Sequence, residues 1–249
     1  MSYRMTVSPD FTPDHIPGWY IFNTWFQKKL GEGVHLELFN DFESQRKAIA
    51  ADEIDLIYAN PYDASMLVRE KGFKAVVRPV QFSDEAVIAV SKDSPVETIE
   101  DLEPGIRVVS TSDPDINMIG MIMLEPADLD SGALRDKMKI VSSYPLVAQQ
   151  LLRGQADVGF FLKEAYEDLT ELTRRNLRVL VASEIGVIHH SLLVGPGMEA
   201  LSEDIQTALV GMADDPKGAG VLESLGLPGW EALSEEDVEF MIDLMDTLC

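Results

Sequence analysis

The sequence predicts an α/β protein of two similar lobes around a central cleft. Three observations carry this. Helix-period and strand-period apolar patterns alternate along almost the whole chain. One passage occurs twice, about 100 residues apart: Ile49-Ala-Ala-Asp-Glu-Ile-Asp55-Leu-Ile-Tyr58 and Leu151-Leu-Arg-Gly-Gln-Ala-Asp157-Val-Gly-Phe160. Each ends an amphipathic helix, turns tightly and enters an apolar strand through an Asp, which is half of a βαβ unit. Finally, Gln81-Phe82-Ser83-Asp84 breaks the pattern where a chain could cross into a second lobe. The expected lobes are residues 1–84 with 181–249, and 85–180.

The elements follow in order. Arg4–Val7 reads as a strand closed by Ser8-Pro9-Asp10. Pro13, Asp14 and Pro17 open a helix carrying Trp19, Tyr20, Phe22, Trp25, Phe26 and Leu30, and Gly31 stops it. Its aromatic residues read as core. His35–Phe39 alternates as a strand, Phe42–Ala50 is a helix, and Ile54–Tyr58 is a buried strand broken at Asn60-Pro61. Ala64–Lys71 is a helix ended by Gly72, and Phe73–Val80 is a strand.

Glu85–Val90 begins the second lobe. Ser94 and Glu97 have the spacing of a capping box. Ile106–Val109 is a strand, Ser110–Asn117 a polar loop and Met118–Leu124 a helix. Met118, Met121 and Met123 read as core filler. Strands at Lys139–Val141 and Asp157–Phe161 flank a helix over Pro145–Arg153. Leu177–Val181 reads as a strand returning to the first lobe, followed by a strand over Val187–Val194. Helices over 202–212, 217–225 and 234–248 finish the chain, with Ser202 and Ser234 as N-caps.

Twenty basic against 43 acidic residues give a net charge of −23. That field repels nucleic acid and anionic membrane surfaces, so neither is an expected partner. A solvated acidic surface explains it without a cationic partner. No apolar stretch is long enough to span a bilayer, so membrane insertion is not expected. The single cysteine, Cys249, allows no internal disulfide. The N-terminus runs into the first strand without a charged segment followed by an apolar one, so a cytoplasmic location is expected, with a periplasmic one as the alternative if a leader has been removed.

Parallel sheets place ligands at the carboxyl ends of their strands. That rule selects Ser8–His15, Asn60–Asp63, Ser110–Asn117, Ser142–Tyr144 and Phe160–Glu164. The residues expected to hold a ligand are Asp10, Tyr62, Asp63, Ser110, Thr111, Asp115, Asn117 and Tyr144. Asp63 and Asp115 read equally well as N-caps of the helices that follow. His15, near Asp10 and Asp14, is a better cleft candidate than His189 or His190, which alternate in a strand-like segment and read as structural. No ligand spacing for a metal and no Walker, GxGxxG, HExxH or GxSxG motif occurs, so no metal, cofactor or catalytic residue is assigned.

Val7-Ser-Pro-Asp10, Asp55-Leu-Ile-Tyr-Ala-Asn-Pro61, Asp93-Ser94-Pro95 with Ile99-Glu-Asp-Leu102, and Gly154-Gln-Ala-Asp157-Val-Gly159 occur in one order over nearly the whole chain. Asp215-Pro216 and Leu225-Gly226 complete the set. Together they resemble the phosphonate- and phosphate-type solute-binding proteins of ABC transporters. The resemblance implies a type II periplasmic-binding-protein fold, closure of two lobes around a small polar ligand, and a transporter or signalling partner. It also shows where this chain departs. The family's Gly-Pro-x-Ser-Tyr turn aligns with Asn60-Pro61-Tyr62-Asp63-Ala64, and its Ser-Thr-Ser-Gly run aligns near Asp113–Met118, with Ser110-Thr111-Ser112 one step early. The family's His aligns with Tyr144, and a polar acceptor with Leu162.

An oxyanion needs donors and the positive ends of dipoles. Carboxylates at Asp63 and Asp115 replace them. At an effective dielectric of ~20, like charges ~4 Å apart repel by about 4 kcal/mol. The first expectation is therefore a non-catalytic binding protein with an altered site, acting as a cytoplasmic sensor. An enzyme on the same fold, such as the lyase-like relatives of futalosine-type menaquinone synthesis, and an ordinary importer component are the alternatives.

Overall fold

The computed structural model describes residues 2–10 and 15–248. The expected helix start at Pro13 and Asp14, and Cys249, lie outside the described residues. In chain order the elements are β1 (Ser2–Val7), α1 (Ile16–Leu30), β2 (Gly33–Leu36), α2 (Phe42–Ala50), β3 (Leu56–Ala59), α3 (Pro61–Lys71), β4 (Lys74–Pro79) and β5 (Ala86–Ser91). There follow β6 (Val108–Ser110), α4 (Pro114–Met123), α5 (Ser131–Lys137), β7 (Lys139–Ile140), α6 (Tyr144–Leu152), β8 (Val158–Leu162), α7 (Lys163–Glu167) and α8 (Glu171–Arg175). The chain ends with β9 (Leu177–Ala182), β10 (Ser191–Val194), α9 (Ser202–Val210), α10 (Pro216–Leu225), β11 (Trp230–Ala232) and α11 (Glu235–Leu248).

The chain divides into two compact units, residues 1–82 with 189–245, and residues 83–188 with 246–249. The first holds a six-stranded sheet in the order β11-β4-β10-β3-β1-β2. β1 pairs in parallel with β2 and β3, while β10 runs antiparallel between β3 and β4. The core beneath it takes Met5, Val7 and Leu56 from the sheet and Trp19, Phe22 and Phe26 from α1. The aromatic stripe of α1 is thus packing material, as its helical spacing implies. The second unit holds a five-stranded sheet in the order β7-β6-β8-β5-β9. Here β6, β7 and β8 are parallel, and β5 is antiparallel to both neighbours.

The repeated passage has the same structure in both units. After the helix one residue turns left-handed, Asp52 at φ 55° and Gly154 at φ 65°. The Asp that follows three residues later then binds the adjoining strand reciprocally. The Arg4 N–H donates to Asp55 Oδ2 at 2.8 Å, and the Asp55 N–H donates to the Arg4 carbonyl at 2.9 Å. Arg107 and Asp157 make the same two bonds, at 2.8 and 2.9 Å. The Asp is kept because it fastens the start of one parallel strand to the next.

Several elements differ from the sequence reading. Leu177–Ala182 does not return to the first sheet; it pairs antiparallel with β5 as an edge strand of the second. The strand expected over Val187–Val194 is only Ser191–Val194, so His189 and His190 precede it and strand alternation does not govern them. The expected capping box at Ser94 is instead formed by Thr98 and Asp101, whose side chains meet the short helical turn of Ile99–Asp101. α9 has Leu201, without a side-chain bond, at its N-cap rather than Ser202. Ser234 does cap α11: its Oγ accepts from the Asp237 N–H at 3.2 Å. α4 begins at Pro114, not Met118, because Asp113 caps it and proline fits the first turn.

Candidate functional site

Every expected ligand residue lies at the carboxyl end of a parallel strand or in the first two turns of the helix after it. In the first unit, Asn60 ends β3 and caps α3: its Oδ1 accepts from the Asp63 N–H at 2.8 Å. Asp63 answers by accepting from Asn60 Nδ2 at 2.9 Å. Asn60, not Asp63, is therefore the cap. Asp63 is 1% exposed and its Oδ1 accepts from Arg46 Nε at 2.7 Å. The Arg46 guanidinium lies over the rings of Phe42 and Tyr62, at 5.1 and 5.4 Å. Asp63 is therefore not the uncompensated negative charge expected from the sequence, because α2 supplies its cation.

The network continues across the strand ends. Asn60 Nδ2 also donates to Ser8 Oγ at 3.1 Å, and Ser8 in turn bonds the Asp10 carboxylate. On the far side, His190 Nε2 lies 3.1 Å from Asp10 Oδ2. The imidazole is held by stacking on Tyr58, with ring centroids 5.3 Å apart. Burial pushes the Asp10 carboxyl up, but the facing imidazole and its hydrogen bond, with that of Ser8, outweigh this and hold it below the ordinary aspartate range. Asp10 Oδ1 is buried and accepts no hydrogen bond from the described residues. A run of polar groups thus links Asp10 and Asp63, with Arg46 at one end and His190 at the other. The His15 ring lies 3.0 Å from where a side chain on Gly226 would begin.

In the second unit the site is built on α4. Its N-cap, Asp113, accepts from the Ile116 N–H at 3.4 Å through Oδ1 and from the Tyr144 hydroxyl at 2.8 Å through Oδ2. Asp115 sits in the first turn and is 1% exposed. It is therefore buried beside the cap and is not the cap itself. Asn117 Nδ2 donates to the Thr111 carbonyl at 2.9 Å, which turns its Oδ1 away into a buried position with no donor among the described residues. Ser110, fully buried at the end of β6, has a hydroxyl with no partner among the described residues. Gly120 lets α4 lie directly on β8, since a Cβ there would stand 2.5 Å from the Phe160 ring. The structure brings Ser110, Thr111, Asp115, Asn117 and Tyr144 together around one helix start. Tyr62 lies on α3 and is 47% exposed.

Arg46 is absent from the sequence-based candidates, Asn60 lies in a selected loop without being assigned a role, and His190, read as structural, faces Asp10. Arg46 sits on an ordinary amphipathic helix and carries no local mark. Asn60 has one, because Asn before Pro, with an acid three residues on, is a helix-start pattern.

Residues 5–238 match the model of the family described as ABC transporter, phosphonate, periplasmic substrate-binding protein. The chain belongs to that family. Its fold is shared with a Prochlorococcus marinus protein, PhnD1, solved with methylphosphonate: TM-score 0.81 and 11% identity over 99% of this chain and 98% of that one. A Xanthomonas citri protein solved with chloride gives 0.79 at 14% identity, over 99% and 98%. A binding component of an ABC phosphonate transporter from Pseudomonas aeruginosa gives 0.76 at 15% identity, over 98% and 87%. No curated protein matches the sequence. The family places the chain among type II periplasmic binding proteins, with a small-molecule ligand and a transporter as its setting. Among the described residues, no helix is long and apolar enough to cross a membrane.

Proposed function

We propose that this chain is a non-catalytic binding protein whose ligand is a small polar molecule, neutral or cationic, that brings hydrogen-bond donors with it. One observation carries the reading: in each unit a buried acceptor at the candidate site has no donor among the described residues, Asp10 Oδ1 in the first and Asn117 Oδ1 in the second. Buried acceptors without partners are uncommon and costly, by about 1–3 kcal/mol each. An ammonium, amide or hydroxyl satisfies them; a deprotonated phosphonate oxygen does not. Asp115, buried at the start of α4, adds negative charge where the family's oxyanion needs donors. The pairing of Asp63 with Arg46 removes one of the two carboxylates from the case against phosphonate, so that case now rests on the buried acceptors.

The family is described as periplasmic, which favours the importer setting over the cytoplasmic sensor expected from the N-terminus; cell fractionation separates the two. Isothermal titration at neutral pH with methylphosphonate, inorganic phosphate and a panel of small amines tests the ligand class. The expected result is at least tenfold tighter binding of an amine than of methylphosphonate, a difference of about 1.4 kcal/mol. Micromolar or tighter binding of methylphosphonate would overturn the reading and return Ser110-Thr111-Ser112 to the family's role.

A further inference from the structure

The hydrogen bonds of the first unit's site do not balance, and the imbalance has a direction. Arg46 donates to Asp63 Oδ1 through Nε, at 2.7 Å. Elsewhere the chain makes the two-pronged pair that a guanidinium favours: Arg107 Nε and Nη2 reach the two oxygens of Asp157 at 3.0 and 2.7 Å. In the Arg46 pair the second prong is missing, and Asp63 Oδ2 accepts from Asn60 Nδ2 instead. Arg46 Nη2 is left buried, with no acceptor among the described residues.

The plane of the guanidinium is nonetheless fixed. The rings of Phe42 and Tyr62 stand 5.1 and 5.4 Å from its central carbon. Ring faces attract the charge but give the N–H groups no oxygen. Leaving a buried charged donor without one is costly, and such groups in folded proteins call for an explanation. A cation held by a carboxylate and two rings, with one nitrogen to spare, is a preorganised donor.

From Arg46 the bonds run to an opposite end. Both hydrogens of the Asn60 amide are used, on Asp63 and, at 3.1 Å, on Ser8 Oγ. Ser8 bonds Asp10, a side chain only 9% exposed. Asp10 Oδ2 faces His190, and its Oδ1 has no donor among the described residues. One run of bonds within the first unit thus has a spare cationic donor at one end and a spare anionic acceptor at the other.

We infer that the first unit binds a small zwitterion, its carboxylate on Arg46 Nη2 and its ammonium on Asp10 Oδ1. This rests on the reading that the ligand brings donors, and adds that it also brings one anionic acceptor. A zwitterion has no net charge, so the field of a chain at −23 does not repel it as it repels an anion. A carboxylate suits a single spare nitrogen better than a phosphonate, whose third oxygen needs a further donor.

Isothermal titration of the full chain at neutral pH tests it, with glycine, β-alanine and γ-aminobutyrate against methylamine, ethylamine and propylamine. Each amine is one of the zwitterions without its carboxylate, and the series reads the separation of the two ends. At least one zwitterion should bind about tenfold or more tighter than its amine. In Arg46→Lys that ratio should fall to about one, because the single lysine nitrogen keeps a cation for Asp63 but cannot fill the places of both Nε and Nη2. Asp10→Asn should weaken a zwitterion and its amine alike. Arg46→Met serves if circular dichroism shows Arg46→Lys unfolded. If every amine binds as tightly as its zwitterion, or the ratio survives in the Arg46 variant, the inference is overturned while the reading of a donor-bearing ligand stands. Tighter binding of 2-aminoethylphosphonate than of β-alanine, or no binding of any of the three zwitterions, would overturn it too. Micromolar methylphosphonate binding would take the underlying reading with it.

Discussion

At the scale of single residues, the electrostatics of the first unit's site turn on one guanidinium. Asp63 is almost fully buried and depends on Arg46 Nε, 2.7 Å away, for its countercharge. Removing one partner of such a pair strands the other in a medium that disfavours charge. Arg46 is 39% exposed, so water softens the loss. Arg46→Met is expected to cost about 2 kcal/mol, below the range for fully buried pairs. Urea denaturation measures it, and adding Asp63→Asn should recover at least half. If the double variant is as unstable as the single one, the cost comes from lost stacking on Phe42 and Tyr62 instead. None of this was legible in the sequence. Asp63 could be placed after β3 by pattern, but its partner lies 17 residues back on a different helix. Whether a carboxylate repels a ligand depends on that partner.

At the scale of elements, the repeated helix–turn–strand was the clearest sequence signal, and it was clear because its physics is local. A left-handed residue ends each helix, an apolar residue enters the core, and an Asp grips the neighbouring backbone. The two copies differ at the turn. Gly154 adopts φ 65° without strain, whereas Asp52 holds φ 55° with a side chain. Gly154→Ala meets nothing within 4 Å, so only backbone strain opposes it. It should lower stability by about 1 kcal/mol. Asp52→Gly should be neutral within about 0.5 kcal/mol, because relief of strain offsets loss of the exposed Lys71 ion pair at 2.8 Å. Thermal melts of both variants check this, and equal losses in the two would contradict it. Elements whose marks are not local were misread. The edge strand β9 straddles the expected lobe boundary at residue 180, since an apolar run does not say which edge it will join. The start of α4 was set four residues late because the polar run before Met118 reads as loop until Asp113-Pro114 is seen as a cap. The donor-less acceptors Asp10 Oδ1 and Asn117 Oδ1 were beyond sequence altogether, as they are defined by what fails to reach them.

At the scale of the whole molecule, the insertion of β10 between β3 and β4 has a consequence in time. Among the described residues, the strand neighbours of β4 are β10 and β11. During synthesis β4 emerges at residues 74–79, but its partners lie at 191–194 and 230–232. Until the ribosome has passed them, Val76 and Val77 belong to a strand with two bare edges, which is a hazard for aggregation. All five strands of the second sheet, by contrast, come from the continuous stretch 86–182. The sheet begun first must therefore be finished last, and the later-encoded unit can mature while the earlier one waits. Closing a loop of more than 100 residues to seat β10 makes that step slow as well. On refolding from denaturant, pulse-labelled hydrogen exchange should protect the amides of Val87–Val90 and Val158–Phe161 before those of Val76, Val77 and Leu192–Val194. Simultaneous protection of both sets would show that order of synthesis leaves no trace in order of folding. If the second set lags, the nascent chain is most vulnerable between the emergence of β4 and that of β10, and a holdase bound over that interval would raise the yield of folded protein.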